Sequence, residues 1–294
     1  MKNILSYCLF GGKDRYWSPV PLVLIANSLV YPKYYMRFHV SSKIPEHPFY
    51  PIIKEVSNRT KYVEIKVVKK PYSKKQPTLW RMMPLWDRDI KYVFCRDLDA
   101  IPVKEEIKAV SAFIRKDFLI HGIRSYSLHT TELMAGLCGF DAFRLREGGF
   151  LPLSFWDYME SARKTNTECP NWAWGCDQEA LKRFFYKNHK HKVFLMRNTL
   201  DTPLGSARHF LDGFRAKAIR NCEYEKSDLS GINKKILALS SRVHNFAGSP
   251  VLKRKMLRIL PAALEINCEM SDMVKDIINN NKDLKEYYMR SEEE

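Results

Sequence analysis

No stretch of the sequence approaches the ~20 consecutive apolar residues that cross a bilayer, so no membrane-spanning helix is expected. The seven cysteines (8, 95, 138, 169, 176, 222 and 268) include no C-x-x-C pair and are odd in number. That argues against a zinc ribbon or a disulfide framework, and for reduced, mostly buried thiols in a reducing compartment. There is no internal repeat. Gly11-Gly12 after the first apolar run lacks the G-x-G-x-x-G spacing, which disfavours a dinucleotide-binding dehydrogenase. An RRM-type aromatic strand, a zinc-finger spacing and a helix-turn-helix pattern are all missing, so nucleic acid is not an expected partner. The acidic residues between 120 and 210 are mostly isolated, whereas a two-metal phosphohydrolase or nuclease usually needs further acidic clusters. The N-terminal run Met1–Phe10 resembles a short signal core, but it carries one lysine, is brief, and has no small-residue cleavage site after it. It reads as a first strand in a protein that stays in the cytosol.

What the chain has is positive charge and a core. Lys and Arg number 49 against 33 Asp and Glu, a net charge of +16 with a pI near 9.5. Apolar residues make up 45% and aromatics 13%, enough for a sizeable buried interior. The basic clusters are Lys69-Lys70, Lys74-Lys75, His189-Lys190-His191-Lys192 and Lys253-Arg254-Lys255. They fit solvated faces, a peripheral contact with an anionic phospholipid leaflet, or a phosphorylated ligand. His189 and His191 read as part of a solvated basic turn.

Strand and helix patterns alternate over the first ~120 residues, which predicts an α/β fold with a mostly parallel sheet and helices on both faces. Strands are expected at 3–10, 35–41, 62–68, 91–95 and 118–122, and helices at 20–30 and about 103–115. Pro19 and Pro21 fall near a first helical turn, where proline is tolerated. Residues 78–86 form a helical apolar face. Further on, helices are expected near 153–164 and 177–187, a strand at 193–196, and a helical, basic tail over 256–294.

The sharpest signal is Asp97-Leu98-Asp99, directly after the apolar run Tyr92–Cys95. Residues i and i+2 of a strand point to one face, so both carboxylates can converge on one point. Two carboxylates that close repel unless a cation lies between them or a proton is shared. Hard divalent ions accept carboxylate oxygens and leave positions for phosphate oxygens. The same letters also describe an acidic turn paired with Arg88 or Arg96. In open α/β sheets, ligands bind at the carboxyl ends of strands, which is where this pair lies.

The segment Tyr92–Pro102 resembles the D-x-D strand of GT-A glycosyltransferases, and the resemblance continues in order along roughly residues 3–255. Ile4–Gly11 looks like the first strand of that fold, whose end holds the nucleotide base. Glu132–Phe140 is similar to the small-residue strand that approaches the donor sugar, with Met134 where Asn is usual. Gly175–Leu181 matches the Asp-Gln that opens a helix in glycogenin-like and bacterial galactosyltransferase-like members. Val243–Pro250 with Lys253 looks like the late His-x-x-Gly…Lys segment, with one extra residue between His244 and Gly248. Arg96–Asp99 with His129 also resembles virus- and bacterium-encoded enzymes acting on surface glycans. The resemblance implies a GT-A domain over 1–255, with a nucleotide and metal half (1–120) and a donor-sugar and acceptor half (121–255). It further implies a nucleoside-diphosphate sugar donor, UDP foremost, a saccharide or glycan acceptor, and Mn²⁺ or Mg²⁺.

On that resemblance, Asp97, Asp99 and His244 are the metal ligands; His244 otherwise reads as a hydrogen-bonded turn histidine. Phe10, Gly11, Arg81, Arg96, Leu98, Gly136 and Lys253 are the nucleotide and donor contacts. Each has a plainer reading: a strand end for Phe10 and Gly11, a surface arginine on an amphipathic helix for Arg81, a brace for Arg96, a solvated run for Lys253. Asp177 with Gln178 is the candidate group beside the reacting sugar carbon, either the base on the acceptor hydroxyl or the group that steadies oxocarbenium-like charge. As a plain alternative, Asp177 is a helix N-cap. His129 and Trp174 are the acceptor-side candidates.

Overall fold

The computed structural model describes residues 1–11, 14–42, 44, 47–69, 76–98, 102, 104–124, 131–165, 176–197, 260, 261 and 263–290. The first elements are strand β1 (Lys2–Leu9), helix α1 (Asp14–Trp17), α2 (Val20–Val30), β2 (Tyr35–Ser41), α3 (Tyr50–Arg59) and β3 (Val63–Val68). A 3-10 helix (Gln76–Trp86), β4 (Ile90–Arg96), α4 (Lys104–Arg115), β5 (Ile120–Arg124), β6 (Leu137–Asp141) and α5 (Ala142–Glu147) follow. The remainder is α6 (Phe155–Thr165), α7 (Cys176–Leu181), a π-helical turn (Lys182–Tyr186), α8 (Lys187–His189), β7 (Val193–Arg197), α9 (Glu269–Asn279) and α10 (Lys282–Arg290). The class is α/β, with mixed strand pairing that is parallel in three of the five pairs described below.

The chain divides into two compact units, each drawn from separated segments. The first unit holds Met1–Cys8, Lys70–Asp97 and Glu105–Glu225. Its strands lie in the order β1-β4-β6-β5-β7. β4 is parallel to β1, and β5 is parallel to β7, while β6 runs against both β4 and β5. A helical pattern between two strands marks a parallel crossover, and none separates β5 from β6 in the sequence. All five residues of β6 are buried, as a strand inside a sheet requires.

Alternation along β4 sends successive side chains to opposite faces. On one face the Tyr92 and Phe94 rings meet Phe113 of α4 at 5.7 and 6.2 Å between centroids. On the other, Cys95 Sγ lies 3.5 Å from the Arg81 carbonyl and 3.3 Å from Met82 Sδ on the 3-10 helix. The expected apolar face at 78–86 is therefore real, but the helix is of the tighter kind. Pro84, inside it, has no N–H for an α-helical bond.

The second unit holds Leu9–Lys69, Leu98–Lys104 and Lys226–Glu294. β2 and β3 pair in parallel from Met36 opposite Val63 to Ser41 opposite Val68. α2 begins with proline in its first turn, as expected, and buries Val20 to Asn27. Ile52, Ile53 and Val56 form the buried stripe of α3. α9 buries Met270, Val274, Ile277 and Ile278, and Tyr288 of α10 donates to the Ser18 carbonyl at 3.2 Å. These helices are not basic, contrary to expectation: Glu269, Asp272, Asp276, Asp283 and Glu286 outnumber Lys275, Lys282, Lys285 and Arg290.

β5 starts and ends two residues later than the apolar run 118–122 suggests. Backbone pairing with β7 continues to Arg124 opposite Arg197, and pairing, not side-chain apolarity, fixes the extent of a strand. The 177–187 helix is divided: α7 ends at Leu181 and the π-helical turn follows.

Candidate functional site

Register alone brings three segments of the first unit to one point. β1 lies beside β4 with Ser6 opposite Cys95, so Cys8, two residues on, reaches the end of β4 where Asp97 emerges. On the other side Leu137 of β6 faces Arg96, which sets Gly136 against Asp97. A Cβ built on Gly136 would stand 1.9 Å from Asp97 Oδ2, so any side chain there would push the carboxylate from this position. Resemblance assigns Gly136 to the donor side; the geometry gives it a further part, as the floor under Asp97.

Arg81 closes the cluster from the 3-10 helix. It is 5% exposed, and its Nη1 sits 2.5 Å from Asp97 Oδ1. Nη1 also approaches the Arg96 carbonyl at 3.4 Å, and Nε donates to the Thr78 carbonyl at 2.8 Å. Arg81 is therefore not a surface arginine. Asp97 is paired with it, not with Arg88 or Arg96, yet keeps 46% of its side chain exposed.

The electrostatics of the cluster are shared. Burial pushes the Cys8 thiol up to about 11; Arg81 opposes this and Asp97 and Asp177 reinforce it. Cys8 is thus a neutral thiol at physiological pH and not a nucleophile. Burial pulls the Arg81 guanidinium down, but Cys8, Asp97 and Asp177 lift it to a net value well above its ordinary range. Burial raises the Asp177 carboxyl and Asp97 raises it further, while Arg81, the Gln178 amide and the Thr78 hydroxyl hold it back. Asp177, in the first turn of α7, accepts from the Gln178 N–H at 3.0 Å. The Thr131 hydroxyl donates to Gln178 Oε1 at 3.4 Å.

The structure thus assembles Arg81, Asp97, Gly136, Asp177 and Gln178 within one unit. Phe10, Gly11 and Leu98 belong to the second unit. Gly11 has a φ of 74°, in the left-handed region, and its carbonyl accepts from Trp17 Nε1 at 3.1 Å. Leu98 is buried. Arg96 turns to the α4 face: Nε meets Glu106 at 2.7 Å, and Nη1 donates to the carbonyls of Cys95 and Cys138. Asp99, His129, Trp174, His244 and Lys253 lie outside the described residues. Sequence reasoning missed Cys8, Thr78 and Thr131. For Cys8 a signal existed, since a residue at the end of a strand flanking β4 must come close to Asp97.

Two other expectations are corrected. Cys176, which opens α7 beside Asp177, is disulfide-bonded, so the cysteines are not uniformly reduced; its partner lies outside the described residues. Cys8, Cys95, Cys138 and Cys268 are free. His189 is buried and edge-on to Phe150 at 4.8 Å, so it is no solvated turn residue.

No protein-family model matches the chain, and a search of curated proteins finds no match either. Among the described residues, no group of three or more His, Cys, Asp or Glu side chains is placed to hold a metal ion. No helix among them is long and apolar enough to cross a membrane.

Proposed function

We propose that this chain is a GT-A-fold glycosyltransferase that moves a sugar from a nucleoside diphosphate, UDP foremost, to a saccharide or glycan acceptor. The observation that carries this reading is the Asp97 carboxylate: half-exposed at the carboxyl end of β4, gripped by buried Arg81, and packed against Gly136, where a side chain would displace it. A purely structural ion pair has no need of an open carboxylate at that end of a sheet, whereas a ligand site does.

Of the expected metal set, Asp97 lies among the described residues. Asp97 offers one open carboxylate, already charge-balanced by Arg81, and one such group does not by itself hold a divalent ion. On the resemblance, Asp99 and His244 would complete the set for Mn²⁺ or Mg²⁺ with Asp97, and the ion, when bound, would supply charge neutralisation at the leaving diphosphate. Within the chain, Arg81 fixes the Asp97 side chain in one orientation. Asp177 stands in the same electrostatic field with a raised pKa, which suits a carboxylate that accepts the proton of an acceptor hydroxyl. Gln178, fixed by Thr131, is the adjacent hydrogen-bonding group toward a sugar.

Thermal melting against UDP, GDP, dTDP, CMP and ADP, each with and without Mn²⁺, tests the reading. A ligand bound only by the folded state at about 100 times its Kd adds ~2.7 kcal/mol of apparent stability. The expected result is a Mn²⁺-dependent rise with one nucleotide that Asp97→Asn removes, each protein being compared with its own unliganded melting temperature. Absence of a rise with every nucleotide would overturn the reading.

A further inference from the structure

The first unit also carries a surface that the transferase chemistry does not use. At the C-terminal end of α5, Gly149 adopts a φ of 65° and the chain continues as Phe150-Leu151-Pro152-Leu153. Leu153 is 99% exposed and Phe150 44%. This loop is fixed in place. Trp86 Nε1 donates to the Pro152 carbonyl at 2.8 Å, the Phe150 N–H to the Leu145 carbonyl at 2.9 Å, and the Phe150 ring stands against His189. A structured loop thus holds the whole Leu153 side chain and part of the Phe150 ring in water, apolar area that binding to an apolar phase would remove.

Cations lie beside Phe150. An open cavity of about 460 Å³ is lined by Phe150 with Arg144, His189, His191, Lys192 and Asp117. Asp117 is the carboxylate there, and it serves two cations, Arg144 and Lys192. Lys187 and Lys190, in the same turn, are exposed and have no carboxylate partner among the described residues. Arg146 donates to the carbonyls of Leu85 and Ile90, which sets the end of α5 at the start of β4. Asp97 lies past the other end of that strand, roughly 20 Å away at ~3.3 Å per residue.

We propose that this face docks the protein onto an anionic phospholipid leaflet. Phe150 and Leu153 enter the acyl boundary, while lipid phosphates rest against Lys187, Lys190, Lys192 and Arg144. A rigid apolar tip with cations beside it, two of them (Lys187 and Lys190) without a carboxylate partner among the described residues, is the complement of such a surface, where apolar area and lipid charge both contribute to binding. A soluble acidic polysaccharide would use the cations but gives Leu153 nothing to bury against, which favours the leaflet. The net charge of +16 acts in the same direction. The inference is independent of the transferase reading.

The test is co-sedimentation of the full chain with phosphatidylcholine vesicles, with or without about 30% phosphatidylserine, near 0.1 M salt. Wild type should pellet with the anionic vesicles and stay in solution with the neutral ones. Lys187→Glu/Lys190→Glu should weaken partitioning at least roughly tenfold, since each cation near a leaflet counts about fivefold. Leu153→Ser, at a fully exposed position that cannot disturb folding, should weaken it several-fold, and Phe150→Ser/Leu153→Ser further. Equal pelleting with neutral vesicles, or unchanged pelleting of Leu153→Ser and of the lysine variant, would overturn the proposal. So would vesicle binding abolished by millimolar inorganic phosphate and indifferent to Leu153→Ser, which would mark a free-phosphate pocket. Binding to a soluble acidic polysaccharide without binding to anionic vesicles would overturn it as well.

Discussion

Two buried arginines, on opposite faces of β4, meet opposite fates. Arg96 points to the α4 face and pairs with Glu106 at 2.7 Å, with both side chains 4% exposed. Arg81 approaches the end of the strand from the 3-10 helix and pairs with Asp97, of which 46% remains open. Each guanidinium needs a carboxylate, because an unpaired buried charge is costly. Glu106 is consumed by that need, whereas Asp97 answers it with one oxygen and keeps the rest of its carboxylate accessible. The first pair holds helix to sheet; the second leaves a carboxylate open to solvent. Burial of an ion pair therefore says little about function until the exposure of each partner is known.

The comparison can be broken from either side. Glu106→Ala strands Arg96 without its carboxylate inside the core and should cost about 3–5 kcal/mol of unfolding free energy, measured by denaturant titration. Its effect on ligand binding should follow only from lost folded protein. Asp177→Asn should instead leave stability nearly unchanged and lower turnover about 10²–10⁴-fold, as expected for removal of a general base. In wild type, the acidic limb of kcat/KM should lie above the ordinary carboxylate range near 4, because burial and Asp97 raise the Asp177 carboxyl; turnover rises as that proton leaves. A limb unchanged in Asp177→Asn would remove Asp177 from the chemistry. Gly136→Ala places a methyl 1.9 Å from Asp97 Oδ2 and must displace the carboxylate. About 10²-fold lower turnover is expected, since a displacement near 1 Å has that effect, with ~1–3 kcal/mol lost from overpacking.

The smallest effect concerns the Arg96 side alone. His121 of β5 is fully buried beside Phe113 and Phe94, at 5.0 and 5.6 Å, with neither ring nitrogen hydrogen-bonded. Burial, with Arg96 adding to it, depresses its pKa well below the ordinary value. The folded state keeps it neutral while the unfolded chain protonates below about 6.5. Stability is therefore full above ~6.5 and falls as pH drops, by up to ~1.4 kcal/mol per pH unit for this one proton. His121→Phe should flatten that slope in denaturant titrations between pH 7 and 5, and an unchanged slope would assign the acid sensitivity elsewhere.

Much of the arrangement was legible in the sequence because it rests on periodicity. β2 is found at 35–41 and α2 at 20–30, where alternation and proline placement set them. The Asp97 end of β4 could be located because an apolar run stops abruptly at a charged residue. α3 was missed: its stripe of Ile52, Ile53 and Val56 is short, and its Tyr50-Pro51 start resembles a loop. The reversal of β6 depends on partners far away in sequence and leaves no local mark. Arg81 lies between Trp80 and Met82 and Arg96 between Cys95 and Asp97, so the letters alone pointed to Arg96 as the partner of the acidic pair. Which one would meet an open carboxylate depends on the face of β4 each occupies. The disulfide at Cys176 escaped because no spacing rule names its partner.

The most direct test of the transferase reading is donor turnover, followed as release of nucleoside diphosphate from a panel of UDP-sugars in Mn²⁺, in wild type, Asp97→Asn and Glu106→Gln. Wild type should turn over one donor; Asp97→Asn, which leaves Arg81 without its carboxylate, should lose stability and also at least ~10²-fold in the rate of its folded fraction. Glu106→Gln should lose stability while its folded fraction retains the wild-type rate. Asp97→Asn turning over at the wild-type rate, or wild type releasing no diphosphate from any donor, would contradict the account.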